Sequence, residues 1–154
     1  MSEKVMSKEQ LLQEFVVAYE RLLETALHAI QREASPSGAT WGPREVVAHL
    51  AGWEIMANVR IPHIIAGMAP IEFANPAQAT VMNDAINATI VNIAGDQPLD
   101  ALSGMLRRAY HRTVEILRPL DESFFQPGTY IYERTLSAID HCQEHIDVHL
   151  SASA

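Results

Sequence analysis

The chain has very little of several features that mark particular classes of protein. Cys142 is its only cysteine, so an internal disulfide is impossible and an oxidising compartment gains no support. Lys and Arg number 11 against 19 Asp and Glu, a net charge of −8, and basic residues form no cluster. Binding to nucleic acid or to an anionic membrane surface is therefore not expected.

Long apolar runs are also absent. No stretch reaches the ~18 uninterrupted apolar residues of a membrane span, and residues 1–10 carry charges where a signal peptide has an apolar core. We therefore expect a cytoplasmic protein. The 154 residues fit one domain, 1–154. A domain of this size buries ~68–70% of its unfolded surface, so any metal it binds is expected to be functional rather than structural.

What the chain does contain is helical periodicity, since apolar residues recur at steps of three and four and no segment alternates like a strand. The predicted helices cover about 7–32, 43 onwards, 76–94, 99–117 and about 133–150, with the fourth resuming the third after a break at 95–98. Pro62 should kink the second helix or end it near Ile61. We predict loops at 35–38, 67–76 and 120–132.

Helices alone predict an all-α fold, and short turns between them favour an antiparallel four-helix bundle. In that bundle, 67–76 would be the long crossover connection. The alternative is an irregular helical domain with an additional short helix in the crossover.

The last predicted helix holds His141, His145 and His149, each four residues from the next. In a helix such residues lie on nearly one face, ~5–6 Å apart at Cβ. Two imidazoles at this spacing can share a metal ion, because metal–nitrogen bonds are ~2.0–2.1 Å long. The histidines fall on the flank of the apolar face, which suits a site at the mouth of a bundle. Three solvated histidines near a fraying C-terminus are the alternative.

His49 offers a further ligand from the second helix, where it projects into an apolar stripe with Val46 and Trp53. An unpaired buried imidazole costs ~1–3 kcal/mol, so it needs a metal ion, a carboxylate or a carbonyl as partner. Glu45, one turn earlier, is the carboxylate we expect near it. Three imidazoles suit Zn²⁺ best, while Ni²⁺, Fe²⁺ and Co²⁺ remain admissible. Such an ion lowers the pKa of bound water or binds a thiol as thiolate.

Segments 41–53, 82–88 and 141–146 together resemble the DinB-like (DinB/DfsB-type) metalloenzyme superfamily, which includes bacillithiol- and mycothiol-dependent transferases. The resemblance implies a four-helix bundle with a long crossover, a homodimer, and a divalent ion, usually Zn²⁺ or Ni²⁺. The metal ligands that the resemblance implies are His49, His141 and His145. His145 and His149 have the same spacing, so a ligand pair one turn later, His145 with His149, stays open. If His149 is not a ligand, it is a candidate for carrying protons or for hydrogen-bonding to a ligand.

The resemblance implies thiol transfer or hydrolase-like chemistry on a small electrophilic molecule, with a low-molecular-weight thiol as cosubstrate in the first case. Asn83 and Asn87 in the third helix are candidates for lining the pocket; the alternative is that they are ordinary polar residues on the helix surface. Trp53 is a candidate for the pocket wall; the alternative is a tryptophan packed in the core. No catalytic residue is assigned, and Cys142 is expected to be a buried thiol. The competing hypothesis is a non-catalytic bundle whose histidines bind metal weakly or stabilise a dimer.

Overall fold

A computed structural model of the chain describes residues 5–31, 41–70 and 75–150, which contain helices and no strand. The α-helices are α1 (Lys8–Gln31), α2 (Pro43–Ile65), α3 (Pro76–Ala94), α4 (Leu99–Leu117) and α5 (Tyr130–His145). A 3-10 turn at Glu122–Phe125 precedes α5, and a π-helical turn at Ile146–Leu150 follows it. The all-α prediction is confirmed. None of the described helices has both the length and the apolar character to cross a membrane.

Helix starts have local causes that the sequence shows. Before α1, the Ser7 hydroxyl accepts a hydrogen bond from Gln10 N at 3.2 Å and the Gln10 side chain accepts one from Ser7 N at 3.0 Å, which is a capping box. Pro43 opens α2, as predicted from its fixed φ and missing N–H. The break at 95–98 separates α3 from α4, also as predicted. The predicted loop at 35–38 and residues 71–74 of the predicted crossover lie outside the described residues.

Of the two outcomes predicted for Pro62, an end of α2 near Ile61 is wrong, because α2 continues to Ile65; the kink stays a prediction. Proline lacks only the N–H that would bond the carbonyl four residues earlier, and α2 continues past that lost bond. The helix closes instead at Gly67, whose φ of 87° lies in the left-handed region that glycine adopts without strain.

The last helix also differs from its predicted bounds. It begins at Tyr130, within the predicted loop, because Thr129 caps it by accepting a hydrogen bond from Tyr132 N. It is α-helical only as far as His145, and the backbone then widens into the π-helical turn. His149 therefore lies in a wider turn than His141 and His145, a change that residue spacing does not reveal.

The core lies between two helix pairs, since α2 packs along α4, α1 packs along α5, and α1 also contacts α2 and α4. Phe15, Leu50, Leu106 and Tyr110 belong to one apolar cluster, and Leu11, Ile61, Leu117 and Phe125 to a second. Between α2 and α5 a groove of about 680 Å³ remains open. This groove is lined by residues from 50 to 60 of α2 and from 130 to 144 of α5, with Tyr19 of α1 and Asn83 of α3.

Helix α3 stands outside this core and packs chiefly against α2. Ile90 lies so close to Gly52 that a Cβ there would come within 2.5 Å of its side chain, so only glycine permits this approach. None of the α3 residues is buried.

Candidate metal centre

Three histidines from two helices converge at one end of the groove. His49 of α2 and His145 of α5 are buried, with 3% and 6% of their surface exposed, and His141 is half-buried. The Nε2 atom of His141 lies 3.3 Å from Nε2 of His49 and 2.9 Å from Nε2 of His145. One ring nitrogen from each residue lies within 4.8 Å of the other two. The structure thus brings together the three ligands carried over from the resemblance.

The spacing of these nitrogens fits a shared cation. Bonds of ~2.0–2.1 Å place two nitrogens about 3.4 Å apart at a tetrahedral ion and about 3.0 Å apart at right angles. The two measured separations lie near these values. The two buried rings and the half-buried His141 would otherwise leave polar nitrogens facing one another in a largely apolar setting, which is costly. The donor set therefore fits a divalent cation, and that these residues bind one stays a prediction.

The same rings are held in the neutral state that a metal ligand needs. Burial, followed by the neighbouring His141, lowers the pKa of His49 from 6.5 to about 4. Burial and the charges of the other histidines lower the pKa of His145 to about 3. Burial also lowers the pKa of His141, against the opposing effect of Glu144. Near pH 7 all three imidazoles offer a lone pair instead of a positive charge.

The expectation that Glu45 would stand beside His49 is wrong. The Glu45 carboxylate accepts a hydrogen bond from Gly42 N at 3.1 Å and lies 3.7 Å from Arg44, so it caps α2 instead. Within the described residues, the buried Nδ1 atoms of His49 and His145 have no hydrogen-bond partner. The imidazoles are therefore oriented by packing and not by a carboxylate.

Trp41 supplies much of that packing and was not recognised as a site residue from the sequence. Its ring centroid lies 4.8 Å from that of His49, 6.2 Å from His145 and 6.0 Å from His149. The available signal was its position two residues before α2, near enough in the chain to fold back over His49. Trp41 covers the histidines and limits access on that side.

His149 lies beside the three converging histidines without joining them. Its ring stacks on His145 with centroids 5.2 Å apart and planes 28° apart, and its Nδ1 is buried without a partner in the described part of the chain. The π-helical turn displaces His149, so the ring nitrogens that lie close together are those of His49, His141 and His145. The geometry favours that pair over the later register.

Trp53 and Asn87, two of the three predicted pocket residues, contact each other beside His49. The ring of Trp53 stands edge-on to His49, with centroids 6.4 Å apart, and its Nε1 donates to Asn87 Oδ1 at 2.7 Å. Trp53 and Asn83 line the groove. Their contact with a substrate or cofactor stays a prediction. Cys142 is buried as expected, and burial followed by Glu54 raises the pKa of its thiol to about 12.

A second polar cluster, which was not predicted, crosses the middle of the groove. Glu54 is 1% exposed and lies 2.7 Å from Nη2 of Arg134. Tyr19 donates to Glu54 Oε2 at 2.6 Å, and the Thr113 hydroxyl lies 2.6 Å from Oε1. A signal existed in the sequence, because Glu54 occupies a core position in the series Leu50, Glu54, Ala57, Ile61. A charge in such a series indicates a buried partner.

Comparison of the chain with family models, with curated proteins and with solved structures gave no match. The assignment to the DinB-like superfamily therefore stays a prediction, and the site has to be argued from its own geometry.

Proposed function

We propose that this protein is a divalent-metal-dependent enzyme of the DinB-like type, which acts on a small electrophilic molecule in the groove. Its fold in this proposal is a four-helix bundle of α1, α2, α4 and α5, with α3 in the long crossover. The observation that carries the proposal is the convergence of three neutral imidazoles, two buried and one half-buried, where His141 lines one end of an open groove. A purely structural cluster has no need of an opening to solvent beside it.

His49, His141 and His145 would hold the ion, and Zn²⁺ or Ni²⁺ suits three nitrogen donors with a position left open. When bound, the ion supplies a nucleophile at neutral pH by lowering the pKa of a thiol or of water. The groove then holds the electrophile, with Trp53 as one wall. Trp41 excludes water from the far side of the histidines.

We favour thiol transfer over hydrolysis. In this reaction the sulfur of a low-molecular-weight thiol loses its proton to solvent and attacks an electrophilic carbon; a C–S bond forms, and the leaving group departs with its bonding electrons. In hydrolysis, water takes the place of the thiol. Cys142 does not compete as a nucleophile, because its thiol is buried with a pKa raised to about 12.

Metal content is the first test, on protein purified without a histidine tag. We expect about one divalent ion per chain by elemental analysis, lost in His49→Ala and His141→Ala. His149→Ala is the matched control, since it removes a neighbouring histidine outside the converging three, and it should keep the ion. Absence of metal near pH 7, or its loss only in the control, contradicts the site.

Activity is the second test. A chromophoric electrophile such as chlorodinitrobenzene should be consumed faster with protein, ion and a bacterial low-molecular-weight thiol together than with any two of them. His145→Ala and chelation should both abolish the increment. Activity that survives both changes contradicts a metal mechanism. Full metal occupancy without turnover of any electrophile or ester would favour the non-catalytic alternative.

The exposed side of α3 supports a homodimer. Asp84 is the only charged residue in the 19 residues of α3, so the exposed apolar stripe of this helix can pack against another helix without burying a charge. Ala79, Met82, Ile86, Thr89 and Ile93 follow one another at alternating steps of three and four, the spacing of a helix–helix seam. Ile93 is 74% and Met82 45% exposed. A second copy fits this uncharged stripe best, because elsewhere two chains of charge −8 repel each other.

The dimer is tested by Ile93→Glu, which places a charge on the stripe. Sedimentation equilibrium should show a dimer for the parent chain and a monomer for this variant. Leu27→Glu is the control, since Leu27 is also exposed, at 51%, but lies on α1. A monomeric parent chain, or equal effects of the two substitutions, contradicts this interface.

A further inference from the structure

Two guanidinium groups lie in the walls of the groove on the side away from the histidines. Arg134 lies on α5, seven residues before His141, which is about 10 Å along the helix axis. Arg60 lies five residues before the end of α2. Both line the same groove as His141, and both are half-buried.

Arg134 has more hydrogen-bonding capacity than its protein partner uses. Its Nη2 donates to Glu54, but the buried Nη1 has no acceptor among the described residues. Glu54 is already engaged with Tyr19 and Thr113 as well. A buried N–H group without an acceptor is costly, so Arg134 favours an additional oxygen ligand.

Arg60 also lacks a carboxylate partner within the described part of the chain. Its guanidinium carbon lies 5.7 Å from the centroid of the Trp53 ring, a cation–π contact that leaves the hydrogen-bonding edge free. Stacking on Trp53 restricts the side chain, so less entropy is lost when its planar donors bind an oxyanion.

Glu54 neutralises the charge of Arg134, whereas Arg60 has no carboxylate partner among the described residues, so one positive charge remains at this end of the groove. Glu133, Asp140 and Glu144 line its rim, and all three are exposed to solvent. Glu133 accepts a hydrogen bond from Gly128 N at 2.8 Å. Exposed charges are weakened by water and salt, whereas half-buried guanidinium groups retain more of their field. The interior of the groove therefore favours an anion at its arginine end.

We propose that the groove binds small organic carboxylates, with the carboxylate held by Arg60 and Arg134 and the other end of the molecule directed towards the histidines. This names the substrate class for the proposed enzyme and rests on the proposed function only for what happens at the histidine end. Carboxylate binding itself depends on the two arginines, so it should persist without metal.

Three probes of equal size separate the possibilities: 3-phenylpropionate, its neutral amide and 3-phenylpropylamine. Ligand-observed NMR titrations would be run on the full chain, with and without Zn²⁺. In both states we expect the carboxylate to bind at least tenfold more tightly than the amide, and the amine to bind most weakly. Preference for the amine, or equal binding of carboxylate and amide, overturns the proposal.

Substitutions then assign the carboxylate to the arginines. Arg60→Gln should weaken binding of the carboxylate at least tenfold and leave the amide unchanged, while Arg60→Lys should lose part of the effect because it keeps the charge without the planar donors. Arg134→Lys preserves a cation for Glu54 and should also weaken the carboxylate. Arg112→Gln is the control, since Arg112 is 61% exposed on α4 and pairs with Glu115.

Failure of this proposal is distinguishable from failure of the metal site. If the carboxylate binds only when Zn²⁺ is present and is lost in His141→Ala, it is a metal ligand and the arginine site is wrong. If it binds without metal and the protein takes up no ion, the arginine site stands and the proposed metal enzyme does not.

Discussion

Two buried polar clusters share the groove, and they satisfy their hydrogen bonds in opposite ways. At the centre, Glu54 accepts from Tyr19 and Arg134 and lies within 2.6 Å of the Thr113 hydroxyl, so charge and acceptors are matched inside the protein. At the histidine end, three imidazoles face one another with no carboxylate among them. The first cluster is nearly complete by itself. The second becomes complete only with a cation.

The contrast separates buried polar groups that are satisfied within the fold from those that are arranged for a ligand. Removal of one partner of a buried ion pair is strongly destabilising, because the other charge is left buried without compensation. Neutral imidazoles that converge without a cation lower the stability of the metal-free protein, and binding of a cation offsets this loss. We expect this contrast in the response of the protein to substitution, to metal and to pH.

Removal of Glu54 should have the largest effect on stability. Glu54→Ala leaves the Arg134 guanidinium and the Tyr19 hydroxyl buried without their acceptor, so the free energy of unfolding should fall by about 3–5 kcal/mol. Urea denaturation measures this. The double variant Glu54→Leu with Arg134→Met removes both charges and should recover most of the loss. A single variant within about 1 kcal/mol of the parent would show that the ion pair does not stabilise the fold.

Metal should stabilise the folded protein through the three histidines, but the protein should not need it to fold. At an ion concentration of 1,000 times Kd, the free energy of unfolding should rise by about 4 kcal/mol, because only the native state holds the three donors together. Thermal melts of parent and His141→Ala with and without Zn²⁺ measure the gain, which the variant should lack. Circular dichroism should show unchanged helix content after chelation. Extensive loss of helix on chelation would instead make the ion structural.

The metal-free protein should lose stability as the pH falls below about 6.5. His49 and His145 have folded-state pKa values of about 4 and about 3, both below the unfolded value of ~6.5. In that window the unfolded chain takes up protons that the folded one does not. Stability is therefore full above about pH 6.5 and falls by about 1.4 kcal/mol per pH unit for each histidine at most.

Urea denaturation at pH 7.0, 6.0 and 5.0 in the presence of chelator measures this fall. His145→Gln should make the dependence shallower, because one of the two buried bases is gone. Equal stability from pH 7 to pH 5 would mean that the histidines are hydrated in the folded state.

Loss of the contact between α2 and α3 should have the smallest effect. Asn87→Ala removes the acceptor of Trp53 Nε1 and should cost about 1 kcal/mol. Hydrogen exchange should report faster opening of α3 amides while α4 remains protected. Asn92→Ala is the control, since Asn92 is exposed on the same helix. Equal exchange in the two variants would show that Asn87 does not fasten α3.

Local sequence patterns accounted for most helix bounds. The Ser7–Gln10 capping box, Pro43 at the start of α2 and the break at 95–98 act within a few residues, so they could be read without a structure. Pro62 misled the prediction because the loss of one N–H donor does not by itself end a helix. The extent of α2 was decided by closure at Gly67.

The all-helical fold and the residue types of the candidate metal centre follow from the amino-acid sequence alone, because periodicity and histidine spacing are local properties. Tertiary structure decided which nitrogens meet. It placed His49 beside His141, although 92 residues separate them, and displaced His149 through a π-helical turn. It also paired Glu54 with Arg134 and placed Trp41 over the rings. The physical reason is that convergence depends on packing between helices distant in the chain, which no short pattern encodes.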